Sequence, residues 1–175
     1  MNILRPGSTN LVRDETTARF EGVVHRFVIE HRARTARELR FYQIQPDFRR
    51  VIEVAALAQL PSGKRHPHQR RIPKAVLEEA RDRLLSADLQ RCTSFGELFD
   101  VVAHEIASIR GIGELTVYDV ALHIGAFLGL EPEVVYLHRA TREGAKAIGV
   151  GTRQKTIRVE NLPEPFHILT PAEIE

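Results

Sequence analysis

Two glycines one residue apart, Gly111 and Gly113, stand where the chain passes from one amphipathic segment to the next. Glycine has no Cβ, so the backbone amides of such a turn can approach a bulky anion closely. Thr116, a residue type that caps helices, is expected to open the following helix. The first N–H groups of a helix lack internal partners and carry partial positive charge. The pattern therefore predicts a phosphate-binding turn and indicates nucleic acid as the ligand.

A second candidate site is the polar, proline-punctuated segment of residues 63–74, called here the basic loop. Its Lys64, Arg65, Arg70 and Arg71 could hold a phosphate backbone beside the glycine turn, because arginine makes bidentate contacts with phosphate. Residues 26–74 contain twelve Lys and Arg but four Asp and Glu, whereas the whole chain has a net charge of +2. This local excess of +8 indicates a surface that faces a polyanion, although a solvated arginine-rich helix face would give the same count.

Other residues with potential chemistry do not form a complete site. His66 and His68 have metal-ligand spacing, but the cations around them would repel a divalent ion. The pair that begins at His104 starts like a zinc-protease helix, yet Ser108 occupies the position of the second histidine ligand. Cys92, the single cysteine, excludes an intramolecular disulfide and has no neighbouring base to activate it. We therefore assign no catalytic residue and no metal from these residues.

The elements that must position the turn are predicted from apolar spacing. Ser94 and Glu97 form a capping-box pattern at the start of the helix before the glycines, and Gly129 closes the helix after them. Pro73 suits the first position of another helix. The expected inward-facing positions follow helical spacing in five segments: Phe20, Val23, Val24, Phe27 and His31; Val51, Ile52, Ala55 and Ala56; Val76, Leu77, Ala80 and Leu84; Phe95, Leu98, Phe99, Val102, Ile106 and Ile109; Val117, Val120, Ala121, Ile124 and Leu128.

The sequence predicts an all-α fold, with one compact multi-helix domain over residues 1–175. N-terminal helices are expected in residues 1–62, the basic loop in 63–74, the core around the glycine turn in 75–150, and a partly extended tail in 151–175. Alternating residues 156–160 favour a short extended piece in that tail. A capping pattern at Thr170 predicts either a single terminal turn or the start of a longer helix.

The pattern around Gly111-Ile112-Gly113 and Thr116 resembles the helix-hairpin-helix DNA-binding motif over about residues 95–128. The resemblance implies that the backbone amides of Gly111, Gly113 and Thr116 hold a DNA phosphate. It also implies a monovalent cation bound by hairpin carbonyls, which belong here to Ala107, Ile109 and Ile112. A tight interhelical turn that happens to use glycine is the alternative interpretation. Contacts of this kind would give salt-dependent affinity without base recognition.

A weaker resemblance extends to the DNA glycosylase superfamily built on this motif and to small bacterial proteins that carry the same hairpin. In the glycosylases, a lysine that forms an imine follows the hairpin, and a catalytic aspartate stands about twenty residues later. This chain has Leu115 and Tyr136 at those positions. Leucine cannot form an imine, and a phenol with a pKa near 10 is a poor carboxylate substitute at neutral pH. Asp119, Glu114 or His138 could act instead, although capping is the expected role of the two acids.

We therefore expect sequence-nonspecific binding of double-stranded or structured DNA through backbone phosphates, without catalysis by this chain alone. A divergent glycosylase or lyase, or a protein–protein interaction module that uses the same hairpin, are the alternatives. A protein partner or a homodimer would strengthen weak binding through one hairpin. No apolar run approaches the roughly 18 residues of a membrane span, and a cytoplasmic location is expected.

Overall fold

The computed structural model describes the backbone of residues 8–175 and the side chains of residues 16–175. This part of the chain is predominantly helical and contains one two-stranded antiparallel sheet. The α-helices are α1 (Ser8–Glu30), α2 (Arg32–Gln43), α3 (Phe48–Ala56), α4 (Lys74–Ser86), α5 (Phe95–Ile106), α6 (Glu114–Leu128), α7 (Arg139–Ala147) and α8 (Pro171–Ile174), and the strands are β1 (Val135–Tyr136) and β2 (Thr156–Ile157).

Helix α6 is the centre of the main core, because α2, α3 and α5 all pack against it. Its residues Val120, Ala121 and Ile124 are almost completely buried. Gly125 lets α5 come close, since a Cβ there would meet side-chain atoms of Phe95 and Leu98 at 3.3 and 3.4 Å. The predicted apolar faces of α3, α5 and α6 are confirmed by this packing.

The ends of α5 and α6 are fixed by local hydrogen bonds. Ser94 caps α5 by accepting from the Glu97 amide, while the Glu97 carboxylate accepts from Thr93 instead of completing the predicted box with Ser94. Gly129 has a φ of +71° and ends α6, as predicted. The predicted capping box at Thr170 is present and opens α8.

The prediction of a buried face along the first helix is wrong. The apolar face of α1 is only partly covered, because Val24 is buried whereas Val23 is 55% exposed and His31 is exposed. Residues 151–175, predicted as a partly extended tail, contribute buried side chains to the fold. Ile157 and Leu162 belong to a second, smaller apolar cluster with Val135, Leu137 and Ala145. Strand β2 confirms only the first two residues of the extended piece predicted at 156–160, because residues 159–161 form a 3-10 turn, and its partner β1 was not predicted.

Candidate nucleic-acid interface

The connection between α5 and α6, residues 107–113, is a tight turn with its glycines on the surface. Gly111 has a φ of +106°, a conformation that residues with a Cβ rarely adopt, so glycine is required there. The Ile112 amide donates to the Ile109 carbonyl at 3.0 Å and closes the turn. Gly113 is exposed, and a Cβ at this position would meet no atom within 4 Å. The surface over the start of α6 is therefore open to a ligand.

Gly113, not Thr116, is the N-cap residue of α6, so the sequence-based prediction of a threonine cap is wrong. Thr116 lies in the first helical turn and is 5% exposed, because its side chain faces the core. Among the described hydrogen bonds, Val117 is the first residue of α6 whose amide donates to a backbone carbonyl, that of Gly113. The amides before Val117 are the unsatisfied donors that any helix start presents.

The predicted cation ligands, the carbonyls of Ala107, Ile109 and Ile112, belong to this same turn. Ala107 is exposed and Ile109 is buried at 5% exposure. The Ile109 carbonyl already accepts from Ile112 and keeps a second lone pair. A monovalent cation at this turn stays a prediction. Among the residues with described side chains, no three His, Cys, Asp or Glu groups come together in a way that could hold a metal ion.

The basic loop contacts α6 directly, and α4, which follows the loop, contacts the glycine turn. Gln69 Nε2 donates to Asp119 Oδ2 on α6 at 2.9 Å, and a methyl group of Val76 lies 3.6 Å from the Cβ position of Gly111. Residues 70–75 run between these contacts. Arg70 and Arg71 are therefore only one and two residues, at most about 7 Å of chain, from an anchor on α6.

Not all of the predicted loop cations are available to a ligand. Lys64, Arg70 and Arg71 are exposed. Arg65 is partly buried and donates from Nη1 to the Ile72 carbonyl at 2.8 Å, so it holds the loop together instead. Arg110, which the sequence did not single out as a contact residue, is exposed within the glycine turn itself.

A cleft of about 600 Å³ opens beside the glycine turn, with α5 and the start of α6 as one wall. The second wall is formed by residues of β1, β2 and α7, including Tyr136, His138 and Lys155. Tyr136 is held by aromatic contacts with Phe99, at 4.4 Å between ring centroids, and with Phe95 at 5.5 Å. The cleft therefore combines aromatic side chains with the backbone at the start of α6.

Polar groups line this cleft on both sides. Arg142 of α7 forms an ion pair with Glu114, the first residue of α6, at 3.1 Å between Nη1 and Oε2. Asp100 on α5 is exposed and faces the same space as Lys155. Sequence reasoning missed Asp100 and Lys155, because 55 positions separate them in the chain and neither belongs to a recognisable motif.

Behind the second wall, His138 and Glu175 form a buried polar contact. His138 Nε2 is 2.7 Å from the Thr141 hydroxyl and 3.9 Å from Glu175 Oε2. Burial lowers the pKa of His138 and raises the pKa of Glu175 to about 8. The Glu175 carboxylate accepts from the Tyr136 amide, and the Tyr118 hydroxyl lies beside it without a hydrogen bond of ordinary geometry. Glu175 therefore supports the cleft wall from behind.

The structure separates the alternative catalytic residues. The prediction that Asp119 caps a helix is wrong. Asp119 lies inside α6, accepts from Gln69, and is not among the residues that line the cleft. His138 and Tyr136 do line it, whereas Leu115 lies half-buried in the first turn of α6.

Comparison with protein-family models, with curated proteins and with solved structures finds no match to this chain.

Within the described part of the chain, no helix combines the length and apolar character that crossing a membrane requires.

Proposed function

We propose that the chain binds DNA by holding backbone phosphates at the start of α6, assisted by cations of the basic loop. The observation that carries the proposal is the open surface over Gly113, where helix-start amides are accessible. Such amides bind phosphate through hydrogen bonds and the positive end of the helix dipole. Because these contacts reach no base edge, the binding is nonspecific in sequence.

The exposed cations around the turn support the same ligand. Arg70 and Arg71 are exposed and directly follow Gln69, which is hydrogen-bonded to α6, and Arg110 is exposed in the turn. Three phosphate contacts would give a slope of log K against log salt of about −3 on double-stranded DNA. Glu114 opposes this attraction, but its ion pair with Arg142 offsets the negative charge at the start of α6.

Electrophoretic mobility shifts across a salt series test the proposal, with Gly113→Val as the central variant. The backbone at Gly113, with φ −106° and ψ 170°, suits a β-branched residue, and no atom obstructs its side chain. The isopropyl group would cover the amides, so affinity should fall more than tenfold, while losing a glycine cap costs about 1 kcal/mol of stability. Gly22→Val on α1, which also has open space, is the matched control.

Two charge variants sharpen the test. Replacing Arg70 and Arg71 with Gln should reduce the steepness of the salt slope by about 2, one unit for each lost phosphate contact. Glu114→Gln should tighten binding, because it removes a carboxylate from the proposed phosphate site and frees Arg142. An absence of binding at low salt, or equal affinities for the Gly113→Val and Gly22→Val proteins, refutes the proposal.

The cleft favours a second candidate function, a DNA lyase that acts through an imine. Its volume lies within the range of small-molecule sites, and it brings an amine, Lys155, and a carboxylate, Asp100, to one aromatic-walled space. A lysine amine can form an imine with the aldehyde of an abasic sugar. Borohydride trapping on an abasic duplex should then depend on Lys155 and survive Lys146→Ala, which removes an exposed lysine of α7. A protein that is not trapped has no such activity, and a protein that is trapped equally without Lys155 forms the imine at another amine, which refutes the assignment to Lys155.

A further inference from the structure

The contact between Gln69 and Asp119 is the only described side-chain hydrogen bond that joins the basic loop to α6. Gln69 is 2% exposed, an unusual burial for an amide side chain in a loop rich in charge. Its Nε2 donates to Asp119 Oδ2, but its Oε1 is enclosed and has no hydrogen-bond partner in the described structure. Leaving a buried acceptor without a partner is unfavourable, because the group has lost its hydrogen bonds to water, so a donor to Gln69 Oε1 is missing from this arrangement.

A neutral carboxyl group would complete it. The protonated acid presents one acceptor and one donor side by side, and a primary amide presents the complementary pair. Gln69 could then donate from Nε2 and accept at Oε1 in one cyclic contact. We propose that Asp119 is a positioning residue that, in its protonated form, holds the basic loop against α6 through a two-point acid–amide contact with Gln69.

The surroundings of Asp119 agree with a neutral group. Burial raises the pKa of its carboxyl to about 7, the Gln69 hydrogen bond lowers it, and the Glu38 carboxylate on α2 raises it further. His66, on the loop, is 3.6 Å from Glu38, and burial keeps the pKa of this imidazole below its usual value. The Asp119 charge in turn contributes to the raised pKa values of Tyr42 of α2, Tyr118 of α6 and Glu175, the residue after α8.

The contact has a consequence for the loop cations. Residues 70–75 are held at one end by Gln69 and at the other by Val76 against Gly111. Releasing Gln69 would free Arg70 and Arg71 from their place beside the turn. The contact of the basic loop with α6 can be measured without DNA. Only its consequence for DNA binding rests on the proposed function.

Limited trypsin digestion measures the docking. Cleavage after Arg71 is followed by mass spectrometry and divided by cleavage after the exposed Arg153, so that the pH dependence of trypsin cancels. Asp119→Asn is the decisive variant, because an amide pair keeps both hydrogen bonds and cannot ionise. Its cleavage ratio should stay within about twofold of the wild-type value at pH 6, whereas Asp119→Leu should raise the ratio about tenfold, as expected when a segment loses an ordinary hydrogen bond.

The pH profile separates positioning from general packing. In the wild-type protein the ratio should rise between pH 6 and 8.5, because the ionised carboxylate has no proton to give to Gln69 Oε1. In Asp119→Asn the ratio should stay flat, although Glu38, His66 and Glu175 are unchanged there. An Asp119→Asn protein whose loop is as open as that of Asp119→Leu, or a pH profile equal to that of the wild type, overturns the inference. If Asp119→Leu does not fold, Gln69→Leu tests the same contact from the loop side.

Salt-dependent DNA binding by the same proteins distinguishes the two proposals. The Asp119→Leu protein should show a less steep salt slope, by about 1–2, because Arg70 and Arg71 are no longer held in place. A wild-type protein that binds no DNA but shows the expected cleavage pattern refutes the proposed function alone. A protein that binds DNA while Asp119→Asn opens the loop refutes the positioning role alone.

Discussion

The dense packing around Gly125 predicts that alanine will lower the free energy of unfolding there but raise it at Gly144. A Cβ on Gly125 would lie 2.7 Å from the Leu130 carbonyl oxygen, and at 3.3 and 3.4 Å from side-chain carbons of Phe95 and Leu98. The nearest atom is backbone and cannot rotate away. The Gly125 carbonyl also accepts from the Leu130 amide at 2.9 Å, so a shift of Leu130 would disturb the end of α6.

These distances fix the sign and rough size of the effect of Gly125→Ala. Overpacking of a dense core costs about 1–3 kcal/mol, and replacing glycine with alanine in a helix returns about 1 kcal/mol. Because the obstructing atom is a carbonyl oxygen, we take the upper end of the cost and expect a net loss of about 2 kcal/mol in the free energy of unfolding. The melting temperature should fall by about 4–8 °C for a chain of this size.

Gly144→Ala on α7 is the matched control, since a Cβ there meets nothing within 4 Å. It should stabilise the protein by about 0.5–1 kcal/mol, the ordinary benefit of alanine over glycine in a helix. Urea denaturation of the three proteins, with equal m-values, gives the comparison. A Gly125→Ala protein as stable as the wild type would show that the Leu130 carbonyl does not lie this close to Gly125, and the reasoning from these distances would be refuted.

Three further predictions concern stability. Burial lowers the pKa of His123 to about 3, so the free energy of unfolding should rise with pH from about 3 to 6.5. The variant His123→Phe keeps an aromatic ring for the stacking on Tyr42, which lies 3.8 Å away, but cannot be protonated, so thermal denaturation across pH should show a smaller rise. Burial raises the pKa of Glu175 to about 8, so the protonated side chain stabilises the folded state at low pH and this stabilisation is lost as the pH rises toward 8. A Glu175→Gln protein whose free energy of unfolding falls as much as that of the wild type between pH 5 and 8 would contradict this. Ser94→Ala should cost about 1 kcal/mol in urea denaturation by removing the cap that accepts from Glu97, with an unchanged value counting against that cap.

The sequence predicts the helix ends and buried faces around the glycine turn but not the contacts between distant residues that complete the site. Ser94 and Gly129 mark the ends of α5 and α6 because caps are written in neighbouring residues, and apolar spacing places their buried faces. Thr116 misleads because a threonine three residues after the actual cap carries the same composition signal, and only burial shows which residue faces the core. A cap and a buried first-turn residue differ in packing, which composition does not record.

The cleft could not be predicted, since its second wall depends on contacts between distant residues. Strand β1 has two residues, too few for a periodic signal, and pairs Val135 with Ile157. The Glu175 carboxylate that braces the Tyr136 amide is 39 positions away. The burial of Gln69 in a charged loop was equally hidden, because its partner Asp119 is 50 positions distant and hydrophobic spacing says nothing about a single hydrogen bond.

The order of these contacts along the chain has a consequence for synthesis. All parts of the glycine turn and its two helices have been made once Leu128 has been added, whereas the second cleft wall needs Thr156 and the brace at Glu175. Because domains generally form from the N-terminal side during translation, the turn can be ordered while the cleft is still open to solvent on one side. Purified chains that end near residue 150 would therefore separate phosphate binding from anything that requires the cleft.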